Sequence, residues 1–160
     1  MLDRAVSSAY PAGSIFKLVT ALAGLETGKI TPHTRFHCSG SFRLNARSRP
    51  FKCWYEKGHG SINLYEAIER SCNVYFYHVA RLLSPDDIAH MARKLGLGKA
   101  MEIETTNIAP GLVPDRAWKR EKYHEKWYLG ETLSYAIGQS YLLTSPLQIL
   151  SLVAVIPKHG

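Results

Sequence analysis

Tyr10-Pro11-Ala12-Gly13-Ser14-Ile15-Phe16-Lys17 decides how this chain is read: a Pro/Gly turn delivers a serine to the start of a helix, with a lysine one turn later. Residues three apart on a helix share a face, so Ser14 and Lys17 stand side by side, hydroxyl next to amine. A serine hydroxyl is a weak nucleophile at neutral pH until a neighbouring base takes its proton, and a lysine of lowered pKa is such a base. Pro11 and Gly13 mark the turn, and Ser14 occupies an N-cap-like position. Leu18, Val19, Leu22 and Leu25 repeat at the 3.6-residue period, and Gly28 stops the helix. A helix over 14–27 is predicted, with the small residues Ala21 and Gly24 continuing the Ser14 face. Ser-x-x-Lys also arises by chance, and a capped core helix with a solvated lysine reads the same way, so the rest of the chain must decide.

Composition bounds the answer without choosing it. A chain of 160 residues that is 46% hydrophobic is compatible with one packed domain. A net charge of +7 and a pI near 9.4 favour contact with something anionic, whether nucleic acid, an acidic polymer or a membrane surface. No apolar run has the length of a membrane span, the best stretch, Leu147 to Ile156, being interrupted by Gln148 and Ser151. The first residues show no charged-then-apolar leader, so the expectation is a cytosolic chain or one whose targeting segment lies outside this sequence.

Beyond the first helix, residues 31–61 read as irregular and basic, with short extended pieces at Ser41–Leu44 and Pro50–Trp54. Leu64–Arg70 and Val74–Leu83 read as helices joined by a tight Ser71-Cys72-Asn73 junction, Ser and Asn being cap formers. Pro85–Leu95 is an amphipathic helix with Pro85 in its first turn and Gly96 as its stop. Residues 104–131 read as loop, and a last helix runs over 146–155. Two Ser-x-Asn triplets occur, Ser61-Ile62-Asn63 and Ser71-Cys72-Asn73. The first precedes a helix and reads as caps. A helix-to-helix corner aims two polar side chains into one cleft better than a loop does, which favours Ser71 and Asn73 as functional.

These blocks together resemble the class B penicillin-binding proteins, and most specifically their elongation-type penicillin-binding protein 2 group. Ser-x-x-Lys with a following Ser-x-Asn is part of the signature of penicillin-binding proteins and class A β-lactamases. The closer resemblance rests on the 10–17 string, His59-Gly60-Ser61, Ser71 through Tyr77, Gly96-Leu97-Gly98, Gly111 through Pro114 and Trp118-Lys119-Arg120. Ala136-Ile137-Gly138-Gln139 and Thr144-Ser145-Pro146-Leu147-Gln148 complete it, so it covers nearly the whole chain in the family's order. The resemblance implies an α+β fold of the β-lactamase/transpeptidase kind, of which 1–160 would be a mostly helical part lacking most of the central sheet. It implies Ser14 as the acylated nucleophile, Lys17 as its base, Ser71 as proton relay and Asn73 as holder of the substrate amide, with the Ser14 N–H as half of an oxyanion hole. The implied substrates are D-Ala-D-Ala stem peptides and β-lactams. The implied partner is a membrane glycosyltransferase of the elongation machinery, the implied place the periplasmic face of the inner membrane, and no nucleic acid is expected.

Two departures stand out. The family has Gly where this chain has Ser140 after Ile-Gly-Gln, and its Lys-Thr-Gly motif is only echoed by Lys158-His159-Gly160, with no strand to present it. The chain alone is therefore expected to be a fragment and not a competent transpeptidase. A β-lactamase or β-lactam sensor shares Ser14 and Lys17 but not the long run of blocks. A non-catalytic zinc-bearing module would account for the basic 31–61 stretch.

The three cysteines, with His59, space as C-x14-C-x5-H-x12-C: Cys38, Cys53, His59 and Cys72. Three thiolates and one imidazole are a closed tetrahedral set for one structural zinc. A disulfide plus a free thiol, or three unrelated buried cysteines, fit the same spacing. In an extended junction side chains alternate, so with Ser71 and Asn73 in the cleft Cys72 faces back towards the 31–61 loop, which favours zinc. His37 is the competing imidazole.

Overall fold

A computed structural model describes residues 8–103 and 106–155. A 3-10 turn, Gly13–Phe16, runs into α1, Lys17–Glu26. Then come the short strands β1 (Phe36–Cys38), β2 (Ser41–Phe42), β3 (Phe51–Lys52) and β4 (Gly60–Ile62), and the helices α2 (Leu64–Glu69), α3 (Asn73–Leu82) and α4 (Pro85–Lys94). The strands β5 (Met101–Ile103) and β6 (Thr106–Ile108) precede α5 (Arg116–Tyr123), α6 (Leu129–Ala136) and α7 (Pro146–Val155).

The core is organised by α3, whose Val74, Tyr75, Phe76, Tyr77, Val79 and Ala80 are all buried. Apolar residues around most of its circumference make it a central helix. It packs on α1, α6, α2 and β1. Phe16 and Tyr135 stack at 5.3 Å between the Gly13–Phe16 turn and α6, and Phe36 meets Tyr75 edge-on at 5.1 Å. In the 31–61 insert, β1 pairs antiparallel with β4 and β2 with β3.

Helix starts follow their caps. Asn63 and Glu66 form a capping box on α2, Ser84 and Asp87 another on α4, where Pro85 is the first helical residue. These caps define where α2 and α4 begin. The upstream Ser-x-Asn triplet is thus taken up locally: Asn63 caps, and exposed Ser61 accepts from Arg35.

Three expectations are corrected. Ser14 is not an N-cap. Ala12 already has helical dihedrals, so Ser14 lies inside the 3-10 turn and its hydroxyl is exposed instead of being spent on capping. The 104–131 stretch is not simply loop. It contains β6 and α5 and the start of α6, with Thr106–Ile108 paired to Met101–Ile103. In α5, Asp115 caps the Trp118 N–H while a nearly all-polar sequence hides any apolar period; its one buried residue is Lys119. Finally, the Ser71-Cys72-Asn73 corner is not a plain extended junction, because Ser71 has φ 50 and only Cys72 is extended. Lys158, His159 and Gly160 lie outside the described residues.

Candidate active site

Lys17 is 3% exposed at the start of α1, where a lysine must satisfy its ammonium or give up its proton. Three acceptors converge on its Nζ: Ser71 O at 2.8 Å, Ser71 Oγ at 2.9 Å and Asn73 Oδ1 at 2.7 Å. An ammonium has three donors, so this set is complete. The left-handed backbone of Ser71 lets one residue present both its carbonyl and its hydroxyl to the same nitrogen. A non-glycine residue held at positive φ is a local strain of the kind that clusters at functional sites. Burial lowers the Lys17 pKa from 10.5 to about 8, against the opposing pull of the Cys53 and Cys72 thiols.

The four residues named from sequence lie together. Ser14, Lys17 and Ser71 line one pocket of about 300 Å3, closed on its apolar side by Ile15, Ile68 and Val153. Asn73 is the first residue of α3; its Nδ2 donates to Lys52 O at 3.3 Å while its Oδ1 accepts from Lys17 Nζ, which fixes the amide's orientation. Sequence reasoning missed Lys52, which acts through a backbone carbonyl and therefore leaves no mark on residue type. It also missed Phe76, whose ring lies 5.8 Å from Nζ.

Directly behind this corner sits the second cluster. Cys72 caps α3, its Sγ accepting from Tyr75 N at 3.5 Å, and faces Cys53 Sγ at 4.0 Å. His59 Nδ1 is 3.6 Å from both Cys38 Sγ and Cys53 Sγ, and all four ligand atoms lie within 4.8 Å of one another. Tetrahedral zinc with ordinary bond lengths sets its ligands about 3.6 Å (S···N) and about 3.8 Å (S···S) apart, so the spacing fits. The electrostatics fit as well. Burial works against the Cys53 thiolate, but the backbone N–H groups of Tyr55, Val74 and Asn73 bring its pKa below the ordinary thiol value. Burial and then the Cys53 charge push Cys72 well above it. Burial, with Arg70 and Lys17, lowers His59 and so keeps its imidazole neutral. Crowded thiols that cannot all ionise by themselves are what a cation resolves. His37 points elsewhere, exposed on β1 opposite Ser61.

The penicillin-binding protein transpeptidase domain family matches residues 1–160, and the chain belongs to that family. Within it the similarity runs to penicillin-binding protein 2. The chain is 33% identical over 160 residues to peptidoglycan D,D-transpeptidase MrdA of Salmonella typhimurium and 34% identical to that of Acinetobacter baumannii, covering 100% of this chain and 26% and 24% of those proteins. It thus spans about a quarter of the length of the curated relatives it matches. Pseudomonas aeruginosa PBP2, solved in complex with WCK 5153, superposes with a TM-score of 0.94 at 34% identity, over 99% of this chain and 36% of that one. PBP2 from Helicobacter pylori, in complex with MreC, gives 0.91 at 34% identity, over 97% and 29%. The fold class is that of these transpeptidase domains, represented here by its helical part with few short strands.

The two Ser-x-Asn triplets give a clear contrast. In the protein carrying this chain, Ser61→Ala is expected to leave penicillin labelling unchanged, since on β4, away from Lys17, its exposed hydroxyl accepts from Arg35. Ser71→Ala removes a hydroxyl bonded to Lys17 and should slow labelling by roughly a hundredfold, the usual worth of a positioned proton-transfer group. Time courses with a fluorescent penicillin measure both.

Proposed function

We propose that this chain carries the acylation machinery of a peptidoglycan D,D-transpeptidase of cell-wall elongation, with Ser14 as nucleophile. The observation that supports the reading most is the buried Lys17 ammonium shared between Ser71 and Asn73 beside exposed Ser14. Neutral Lys17 takes the Ser14 proton as Oγ bonds to the penultimate D-Ala carbonyl carbon of a stem peptide. The carbonyl electron pair moves to an oxyanion, which the Ser14 N–H in the first helical turn helps to hold. Collapse of that intermediate breaks the C–N bond, Ser71 hands a proton to the departing D-Ala amine, and Lys17 reprotonates Ser71. An amine from a second strand then attacks the ester, its proton returning through Ser71, and Ser14 is released as the new peptide bond forms. β-Lactams acylate the same oxygen.

One structural zinc on Cys38, Cys53, His59 and Cys72 belongs to the same reading; it would brace the Ser71–Asn73 corner from behind, with no open position for chemistry. The net charge of +7 suits an acidic, carboxylate-bearing wall polymer. Among the described residues no helix is long and apolar enough to cross a membrane. We place the parent protein at the periplasmic face of the inner membrane, with a glycosyltransferase of the elongation machinery as partner. A similar chain solved in a peptidoglycan synthase complex that coordinates polymerization and crosslinking supports such an assembly.

The test is penicillin labelling against pH. A base with its pKa near 8 is mostly protonated at pH 7, so acylation should rise about tenfold from pH 7 and level off above pH 8. Between 8 and 10.5 the unfolded chain binds more protons at this lysine than the folded one, so Lys17 also makes stability rise with pH across that window. A flat profile, or rapid hydrolysis of the adduct, would count against a transpeptidase that uses Lys17 as base.

A further inference from the structure

We infer that Glu131, with Lys119 and Tyr141, is a positioning device for the nucleophile, acting through the 137–140 turn on Gly13. The inference rests on Ser14 being the acylated residue. Lys119, on α5, is 1% exposed, and a buried ammonium persists only when paired. Its Nζ meets Glu131 Oε1 and lies 4.8 Å from the centre of the Tyr128 ring. The same carboxylate oxygen accepts from Tyr141 OH at 3.0 Å, and Oε2 accepts from Tyr128 N at 2.7 Å, at the start of α6. Glu131 is therefore the one group that joins α5, the first turn of α6 and the residue that follows the next turn.

Three residues between Glu131 and Tyr141 touch the Gly13–Phe16 turn or α1 behind it. Tyr135 stacks on Phe16, Ala136 O accepts from Thr20 Oγ1 at 2.8 Å, and Gly138 O accepts from Gly13 N at 3.0 Å. Gly138 comes so close that a Cβ there would stand 2.1 Å from Gly13 O. The turn is also strained at one residue: Gly138 takes φ 75 freely, but Ser140 is a left-handed serine at φ 66. A strained turn between two fixed ends keeps its shape; with one end released it relaxes, and the residue it presses on is the one before Ser14. Apolar side chains of the same volume would serve stability as well as a buried ion pair does, but they would offer Tyr141 OH no acceptor.

The test uses the protein carrying this chain and two readouts. One is the first-order acylation constant with a reporter β-lactam, separated from ground-state binding. The other is hydrogen exchange at the Gly13 amide. Tyr141→Phe removes a single hydroxyl and should leave the melting temperature near wild type while slowing acylation by roughly tenfold or more, with binding unchanged. Gly13 exchange should speed up about tenfold while α4 amides stay as they were. Lys119→Met/Glu131→Leu refills the volume and should restore folding without restoring either readout. Lys94→Ala, which breaks an exposed pair with Glu26, is the control expected to move neither. Unchanged Gly13 exchange or unchanged acylation in Tyr141→Phe, or full recovery in the double variant, overturns the inference. If the wild type takes up no β-lactam, the acylation reading falls by itself, and the exchange experiment still decides whether Tyr141 holds Gly13.

Discussion

Replacing Ser14 with alanine is expected to abolish covalent labelling by penicillin in the protein carrying this chain, and it separates the two serines that compete for the role. Ser71 Oγ is only 2.9 Å from Lys17 Nζ and so competes with Ser14 for that base. It is nevertheless committed. Its hydroxyl and its carbonyl both accept from the ammonium, and its backbone is held at φ 50. Ser14 is exposed and lines the pocket, where a carbonyl carbon can approach the start of the helix with the Ser14 N–H in its first turn. Ser14→Ala should thus give no adduct by intact-mass measurement, whereas Ser71→Ala should give a slow one. The reverse pattern would exchange their roles.

Lys17→Met belongs to the same expectation. It removes the base and strands the Ser71 and Asn73 acceptors in a buried site, so acylation should fall by roughly 10²- to 10⁴-fold. Part of that loss would come from displacement of Ser71, which a melting-temperature measurement on the same variant would register.

The candidate site residues were legible because they are local. Ser14 and Lys17 are one turn apart and Ser71 and Asn73 two residues apart, at the starts of helices whose apolar residues are plain in the sequence. What brings the pairs together is not local: Lys17 reaches across 54 and 56 positions to Ser71 and Asn73. No period or spacing encodes that contact; only resemblance to a family did. The α5 helix was hidden for the opposite reason. Of its eight residues only Lys119 is buried, so its helicity depends on the Asp115 cap and on the Glu131 partner, not on an apolar stripe. Ser71 and Ser140 show a further limit, since a left-handed serine looks in sequence like any other loop serine. The strands β1 and β4 were too short, at three residues each, to alternate detectably, and their pairing is set by a closure of the insert that the cysteines share.

Loss of metal from Cys38, Cys53, His59 and Cys72 is expected to impair Ser14 acylation although none of the four touches Ser14 or Lys17. The 31–61 insert is built of short two-stranded pairings laid against α3, and in such a segment the free energy of metal binding becomes free energy of folding. The route to the active site is short. Cys53 follows Lys52, whose carbonyl accepts from Asn73 Nδ2 and from Tyr77 OH, each at 3.3 Å. Cys72 lies between Ser71 and Asn73 and caps α3 through its sulfur. Cys53→Ser should therefore release Lys52, let the Asn73 amide turn, and leave the Lys17 ammonium short of an acceptor. The expected cost is roughly 10- to 100-fold in acylation rate, the range typical of groups that orient a site without taking part in it. A lower melting temperature should accompany it. A strong chelator applied to the unaltered protein should produce the same loss, zinc should reverse it, and neither should change Cys53→Ser further. Elemental analysis should find one zinc per chain. Metal-free protein with two of the three cysteines bonded to each other would replace the metal by a disulfide, and the chelator would then have no effect.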